Sequence, residues 1–264
     1  MHIGIVTNEQ SGVFQRDVIA GAREVAVHYG HEVEVDSRDE AIDRQQPTSL
    51  DLAAVDGVLV ITNVLPDDFL EGLYLGGTPL SLISHRHPTH PIPSVMHNNA
   101  QGIWKLMDYL VQRQRRQRLL FISGNREQRD GIERLTAFQR EVIRHDLPEP
   151  LIIPGDFEPT VAHESLQRLL QTDGVIFDGV LAADYLMARE TKKILAALDV
   201  AVPEEVSVVG FGDGPEAVDA GLTTVAADVQ ELGRRAMRQL LGQIDGLVIR
   251  GATVLSVALM VRQT

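Results

Sequence analysis

The stretch VSVVGFGD, residues 206–213, decides how this chain folds, together with AADYLMA, residues 182–188. Each is a short apolar run that stops at a polar or glycine-rich turn, and a helical pattern follows the AADYLMA turn at once. Buried parallel strands of an α/β sheet end in this way. Because ligands of open α/β sheets bind at the carboxyl ends of strands, the two turns indicate where a functional site would lie.

The same alternation of strand and helix patterns runs through most of the sequence. Apolar strands are predicted at residues 3–7, 32–35, 57–61 and 79–84, and the pattern starts again at RLLFISG, residues 118–124. Repeated β-α-β units predict parallel sheets with helices on both faces, and the two successive sets predict two similar Rossmann-like lobes. The final apolar segment, ATVLSVALMVR (252–262), is interpreted as one last strand.

The first helix pattern has clear ends. Ser11 is a candidate N-cap, and Gly30 stands where a helix commonly ends in the left-handed conformation. An apolar stripe with helical spacing lies between them: Phe14, Val18, Ala22, Val25 and Tyr29.

Composition excludes several classes of function. A net charge of −13 argues against nucleic-acid binding by this chain alone, because phosphate binding needs clustered cations. The basic run RQRRQR (113–118) is interpreted as a solvated helix end. With no cysteine, disulfides, thiolate metal sites and cysteine nucleophiles are excluded. No secretory signal or membrane span is visible, so we expect a soluble cytoplasmic protein without a membrane partner.

Enzyme motifs are missing from the sequence. The G-x-S-x-G, H-E-x-x-H and P-loop patterns do not occur, and GFGDG (210–214) lacks the full dinucleotide-binding spacing. We therefore predict no enzymatic activity and no cofactor.

Six segments resemble, in order, the effector-binding region of LacI/GalR-type bacterial transcription regulators. They are VDGVLVI (55–61), PSVMHNNAQG (93–102), ERLTAF (133–138), AADYLMA (182–188), VPEEVSVVGFGD (202–213) with LTTV (222–225), and VALMVRQT (257–264). The resemblance covers nearly the whole chain. It implies the type I periplasmic-binding-protein fold, with two lobes joined by crossing hinge strands and a ligand between them. It also implies a homodimer that reaches DNA only through a helix-turn-helix headpiece, which this sequence does not contain.

The resemblance also sets the lobe boundaries. The N-terminal lobe is predicted at residues 1–98 plus 227–250, and the C-terminal lobe at residues 99–226 plus 251–264.

Candidate ligand-binding residues in the C-terminal lobe follow from the same motifs. Arg134 stands where the family has a ligand-contacting arginine; the alternative is a surface salt bridge. Asp184 replaces a ligand-facing Asn and also suits a helix N-cap, and Tyr185 replaces an Asp. Gly212 stands where the family commonly has an Asp that contacts sugar hydroxyls. Asp213 is expected to cap the next helix or to reach the ligand, and with Asp184 it suggests a carboxylate moved across the pocket.

In the N-terminal lobe, the loop after the first strand is expected to face the ligand. Phe14 matches a family phenylalanine that stacks on ligand rings, although its place in the apolar stripe favours core packing equally. Asn8 and Gln10 are further polar candidates.

The segment SHRHPTH (84–90) follows the fourth predicted strand. Ser84 replaces a common Asp and His85 a common Arg, and both are candidate ligand contacts together with His87. A metal site at His85, His87 and His90 is a weak alternative because His-x-His on a loop is poor evidence. The remaining alternative is a solvated turn.

The sequence therefore predicts a sensing domain for a small polar ligand, a sugar or sugar-like metabolite, within a LacI-type transcriptional regulator. Three alternatives stay open: a sensor module of another signalling protein, a free-standing solute-binding protein, and a nucleotide-binding α/β enzyme.

Overall fold

A computed structural model of the chain divides into two α/β units, each built from two separate stretches of sequence. Unit 1 comprises Met1–His97 and Asp228–Leu255, and unit 2 comprises Asn98–Ala227 and Ser256–Thr264. The structure describes residues 1–8, 12–37 and 48–264. Ser11 and Gln10, a candidate helix cap and a candidate ligand contact, lie outside the described residues.

The helices and strands alternate along the chain as follows. The first are β1 (His2–Thr7), α1 (Val13–His28), β2 (Glu32–Ser37), β3 (Gly57–Ile61), α2 (Asp67–Leu75), β4 (Leu80–Ile83) and β5 (Ser94–His97). Then come α3 (Asn99–Asp108), which continues as a π-helical turn (Tyr109–Arg113), β6 (Leu119–Ser123), α4 (Arg129–Arg144), β7 (Leu151–Pro154), α5 (Pro159–Asp173), β8 (Gly179–Ala182), α6 (Tyr185–Ala197), β9 (Ser207–Phe211), α7 (Pro215–Asp219) and β10 (Thr223–Ala226). The last are α8 (Val229–Ile244), β11 (Ala252–Leu255) and β12 (Ala258–Met260). None of the helices in the described part of the chain is long and apolar enough to span a membrane.

Unit 1 contains a six-stranded sheet in the order β11-β5-β4-β3-β1-β2, and every neighbouring pair is parallel. Alternate residues of β3 point to opposite faces, as the pleat requires. Leu59 and Ile61 pack with α1 and α8, whereas Val58 and Val60 pack with Leu70 of α2. The predicted sheet with helices on both faces is confirmed in this unit.

Helices α1 and α8 pack closely because each has a glycine, with no side chain, at their contact. A Cβ on Gly21 would collide with the backbone oxygen of Gln230, and one on Gly233 with that of Val18. Helix α1 ends as predicted, since Gly30 follows it with a φ of 72°. Its predicted apolar stripe is buried only in part, because Tyr29 is 60% exposed.

Unit 2 contains a second six-stranded sheet, β12-β10-β9-β8-β6-β7, parallel except where β12 runs antiparallel to β10. Its single large core joins the strands to the helices. The prediction of one last strand over residues 252–262 is wrong. The segment forms β11 in the first sheet and β12 in the second, so residues 251–255 belong with unit 1.

Candidate functional site

The buried guanidinium of Arg134 is the centre of the polar cluster in unit 2. Arg134 lies on the second turn of α4 and is only 8% exposed. Its Nε donates to Oδ1 of Asn99 (2.9 Å) and its Nη1 donates to the carbonyl oxygen of Ala183 (2.8 Å). The guanidinium carbon lies 3.9 Å from the centre of the Phe211 ring. The alternative of a surface salt bridge is therefore wrong.

Carboxylates surround this arginine and hold its neighbours in place. Nη2 of Arg134 lies 3.5 Å from Oδ2 of Asp130. The amide of Asn99 donates to Oδ1 of Asp130 and to Oε2 of Glu133, both at 2.8 Å. Burial lowers the pKa of Arg134, and the charges of Asp130, Asp184 and Glu133 oppose that shift. Because a guanidinium has more N–H donors than these contacts use, Arg134 retains donors for a ligand.

Asp184 lies beside this arginine, at the start of α6. Its Oδ1 accepts a hydrogen bond of 2.8 Å from the backbone N–H of Met187, so the predicted N-cap role is confirmed. Burial raises the pKa of Asp184 to about 6, although the N–H of Met187 and the charge of Arg134 act in the opposite direction. The carboxyl group therefore changes its protonation state in mildly acidic solution.

Tyr185 lies over the turn that follows β9. Gly212 has a φ of 92°, in the left-handed region that favours glycine. A Cβ at Gly212 would lie 2.9 Å from Cδ1 of Tyr185, and a Cβ at Gly214 would collide with the Tyr185 hydroxyl. That hydroxyl donates to Oε2 of Glu216 at 3.3 Å.

Asp213 forms an ion pair that the sequence did not indicate. Its two carboxylate oxygens accept from Nη1 and Nη2 of Arg262 at 2.7 and 2.9 Å, and Oδ1 also accepts from Thr224 at 2.5 Å. Burial by itself would raise the pKa of Asp213, but the hydrogen bonds of Arg262 and Thr224 lower it. The predicted helix-cap role is wrong, since Gly214 is the N-cap of α7 and no side chain caps that helix.

Several residues of unit 2 were missed by sequence reasoning. Asn99 and Phe211 lie inside the quoted motifs, but nothing in the sequence pairs them with Arg134. Phe157 lies 5.5 Å from the same guanidinium. Ser123 ends β6 with a buried hydroxyl that has no hydrogen-bond partner within the described ranges. A hydroxyl at the carboxyl end of a predicted strand is the only signal that pointed to Ser123.

In unit 1, three buried hydroxyl residues follow three neighbouring strands. Thr7 ends β1, Thr62 follows β3 and Ser84 follows β4, and β3 lies between the other two. Thr62 and Ser84 have φ values of 60° and 53°, which are uncommon for residues with a Cβ and cluster at functional sites. The hydroxyls of Thr7 and Ser84 find no partner among the described residues. Buried hydroxyls without a partner are uncommon in folded proteins, so both are candidates for a role in binding.

Asn8, which follows β1, and Phe14, in the first turn of α1, have different environments. Oδ1 of Asn8 accepts a hydrogen bond from Nε2 of Gln15 at 3.1 Å. Phe14 packs against the hydrophobic core between the sheet and α1, which agrees with the core-packing interpretation.

The histidines after β4 are held against α2. Nε2 of His85 lies 3.0 Å from Oδ1 of Asp67. The buried His87 accepts at Nδ1 from the N–H of His90 (3.0 Å), so its Nε2 donates to the backbone oxygen of Asp67 (3.1 Å). His90 contacts Glu71 at 2.8 Å. Within the described residues no group of three or more His, Asp or Glu is arranged to hold a metal ion.

Two sheets of equal strand order, with polar groups buried at their carboxyl edges, define a ligand-binding α/β domain. Residues 107–264, more than half of the chain, match the periplasmic binding protein-like domain family. The chain belongs to this family.

Individual relatives agree with that assignment. The ribose operon repressor of Halalkalibacterium halodurans is 26% identical over 247 residues, which cover 92% of this chain and 72% of the relative. A dimeric Lac repressor with a C-terminal deletion superposes with a TM-score of 0.90 at 20% identity, covering 100% and 98% of the two chains. The transcriptional regulator CelR in its cellobiose complex gives 0.87 at 23% identity, covering 99% and 84%. The predicted fold class and the resemblance to LacI-type regulators are confirmed, and these relatives carry the names of transcription regulators, not of enzymes.

Proposed function

We propose that the chain is the sensing domain of a LacI-type transcriptional regulator and that it binds a sugar or sugar-like metabolite without chemical conversion. The observation that supports this most directly is Arg134. A buried guanidinium fixed by Asn99, Ala183 and Phe211 has a defined orientation and unused donors, which suit the paired oxygens of a polyol. One relative is named as a ribose operon repressor, and another was solved with cellobiose.

The rest of the polar groups fit the same ligand chemistry. Asp184 supplies a carboxyl group beside Arg134, and Ser123 supplies a buried hydroxyl in the same unit. In unit 1, Thr7 and Ser84 supply two more hydroxyls at the carboxyl ends of strands, and neither has a partner in the part of the chain that the structure describes. Buried hydroxyls cost free energy when they are unsatisfied, so a ligand that satisfies them gains affinity.

In this proposal, the ligand works by binding one conformation of the domain better than another, so that it shifts their populations. That the ligand lies between the two units stays a prediction. So do homodimer formation, contact with DNA through a headpiece and a cytoplasmic location. A sensor module of another signalling protein remains the main alternative, because the same binding chemistry would serve it.

Isothermal titration calorimetry with a panel of sugars, nucleosides and dinucleotides tests the proposal. We expect at least one sugar to bind and the Arg134→Lys variant to bind it at least tenfold more weakly, since an ammonium cannot reproduce the planar fork of donors. Tight binding of a dinucleotide with no binding of any sugar would instead favour the enzyme alternative.

A further inference from the structure

The imidazole of His87 uses both of its ring nitrogens within unit 1. The residue is 4% exposed and lies in the turn that connects β4 to β5. Its Nδ1 accepts from the backbone N–H groups of His90 (3.0 Å) and Thr89 (3.3 Å). Because a backbone N–H can only donate, the proton of the neutral ring is on Nε2, which donates to the backbone oxygen of Asp67 at 3.1 Å. Both nitrogens of this candidate ligand contact are therefore engaged by the protein itself.

These contacts fasten the turn to the first residue of α2. Asp67 is contacted twice, since its Oδ1 lies 3.0 Å from Nε2 of His85 and its backbone oxygen accepts from His87. At the other end of the segment, the N–H of Ser84 donates to the backbone oxygen of Val95 in β5 at 2.9 Å. The backbone from Ser84 to His87 is therefore fixed at both ends.

Ser84 has a conformation that needs such a restraint. Its φ of 53° lies in the left-handed region, which costs free energy for a residue with a Cβ and persists only where surrounding contacts enforce it. The residue is 4% exposed, and its hydroxyl has no partner within the described ranges. A polar group buried in this state is a candidate for hydrogen bonding to a ligand.

We propose that His87 is a positioning residue: its ring holds Ser84 in the left-handed conformation and so presents the Ser84 hydroxyl to the ligand, which the imidazole itself does not touch. The ligand part of this inference rests on the proposed function, whereas the restraint on Ser84 does not. Asparagine and glutamine can each replace one half of the imidazole, so substitutions by these two residues separate the roles of its nitrogens.

Hydrogen exchange tests the restraint without a ligand. In His87→Gln, the side-chain amide can replace Nε2 as a donor but offers no acceptor at the position of Nδ1. We therefore expect the backbone N–H groups of His90 and Ser84 to exchange about tenfold or more faster than in the wild type. In His87→Asn, the side-chain oxygen takes the position of Nδ1, so both rates should stay within about threefold of the wild type.

Two controls accompany these variants. The N–H of Leu82, which is hydrogen-bonded to the segment before β5, reports opening of the whole sheet and should keep its wild-type rate. His90→Gln changes the side chain that contacts Glu71 but leaves the backbone N–H that donates to His87, so the exchange of Ser84 should not change. If His87→Gln accelerates exchange at His90 but not at Ser84, His87 holds only its own turn and the inference is overturned.

The wild-type protein provides a test that does not depend on the folding of any variant. Nitrogen NMR of the imidazole near neutral pH should show the proton of His87 on Nε2. A neutral ring with its proton on Nδ1 could not accept from the N–H of His90, and this result would also overturn the inference.

Calorimetry with the sugar panel tests the ligand part. We expect His87→Gln to weaken binding about fivefold or more and His87→Asn to keep it within about twofold. Equal losses in both variants, with wild-type exchange at Ser84 in His87→Asn, would show that the imidazole contacts the ligand directly, which contradicts a positioning role. If no sugar binds the wild type, the proposed function fails, while the exchange rates still decide whether His87 restrains Ser84.

Discussion

Arg134 and Ala183 are joined by a hydrogen bond of 2.8 Å from the Nη1 of the arginine to the carbonyl oxygen of the alanine. Ala183 lies directly before Asp184, so this bond connects α4 to the turn between β8 and α6. The same guanidinium that we assign to ligand binding therefore also holds together two elements of unit 2. Substitutions at Arg134 must be examined for stability and for affinity separately.

Replacing Arg134 by Ala should affect both properties. Removing the cation of a buried ionic cluster leaves Oδ1 of Asn99 and the carbonyl oxygen of Ala183 without this donor and Asp130 without its counter-charge, so we expect the free energy of unfolding to fall by about 3 kcal/mol. Affinity for a bound sugar should fall by about 1.5–3 kcal/mol. Urea denaturation and calorimetry measure the two effects, and the exposed Arg140 of the same helix provides the control, Arg140→Ala. Affinity within about twofold of wild type for folded Arg134→Ala would remove Arg134 from the site.

Asp184 should make stability depend on pH in an unusual direction. Its pKa is raised from 3.8 to about 6 in the folded state, so the folded protein binds more protons than the unfolded chain between these values. The contribution of Asp184 is therefore most favourable below pH 3.8 and is lost as pH rises through about 6.

The variant Asp184→Asn isolates this contribution, because asparagine keeps a side-chain acceptor for the N-cap. From pH 4 to pH 7, the free energy of unfolding of Asp184→Asn should rise relative to wild type by up to about 3 kcal/mol. Urea denaturation at a series of pH values measures the difference. A constant difference across this range would mean that Asp184 does not titrate there.

The ion pair between Asp213 and Arg262 should contribute to the stability of unit 2. Both side chains are largely shielded from solvent and share two short hydrogen bonds, so Arg262→Ala should lower the free energy of unfolding by about 2 kcal/mol. In a double-mutant cycle with Asp213→Asn, we expect a coupling energy of about 1 kcal/mol or more. Additive effects of the two substitutions would show that the contact contributes nothing.

The pH dependence of this pair has the opposite sign to that of Asp184. The pKa of Asp213 is lowered in the folded state, so its contribution is present above the ordinary carboxyl pKa and is lost as pH falls. The free energy of unfolding of Asp213→Asn should therefore fall less than that of the wild type as pH is lowered, because asparagine does not titrate. Urea denaturation at a series of pH values measures this difference.

The hydroxyls of Thr7 and Ser84 should contribute to ligand binding and not to the free energy of unfolding. Thr7→Val and Ser84→Ala remove buried hydroxyls that have no partner within the described ranges, so we expect stability to change by less than about 1 kcal/mol. Sugar affinity should fall by about fivefold or more for each. Ser94→Ala is the matched control, because the buried hydroxyl of Ser94 also lacks a partner among the residues that the structure describes but lies at the amino end of β5. Equal affinity losses in all three variants would argue against a specific role.

Much of the fold was predictable because buried parallel strands leave a local signal. A strand covered on both faces, such as β3 with Leu59 and Val60 on opposite sides, must be apolar at consecutive positions. The division of residues 252–262 into β11 and β12 left no such signal. Both strands lie in one apolar run, and the change of sheet occurs at Ser256 and Val257, where no glycine or proline marks a break.

Individual site residues could be predicted only where a recognisable sequence motif contains them. Arg134 and Asp184 follow from the resemblance, and the carboxyl end of β8 also indicates Asp184. The partners of these residues depend on the packing of distant segments. Asn99 is 35 positions from Arg134, and Arg262 is 49 positions from Asp213. Local patterns hold no information on such pairs, so the sequence predicts a helix cap or a ligand contact for Asp213 and gives no sign of its ion pair with Arg262.

The close contact of α1 with α8 through Gly21 and Gly233 has a consequence for protein synthesis. Helix α8 and strand β11 follow all but the last segment of unit 2 in the sequence, so the ribosome synthesises most of unit 2 before unit 1 has the helix that packs on α1 and its edge strand. A fragment that stops at Ala227 would leave the α1 surface around Val18 and Ala22 uncovered and prone to aggregation. Production of unit 1 alone therefore requires a gene that splices residues 1–97 to residues 228–255.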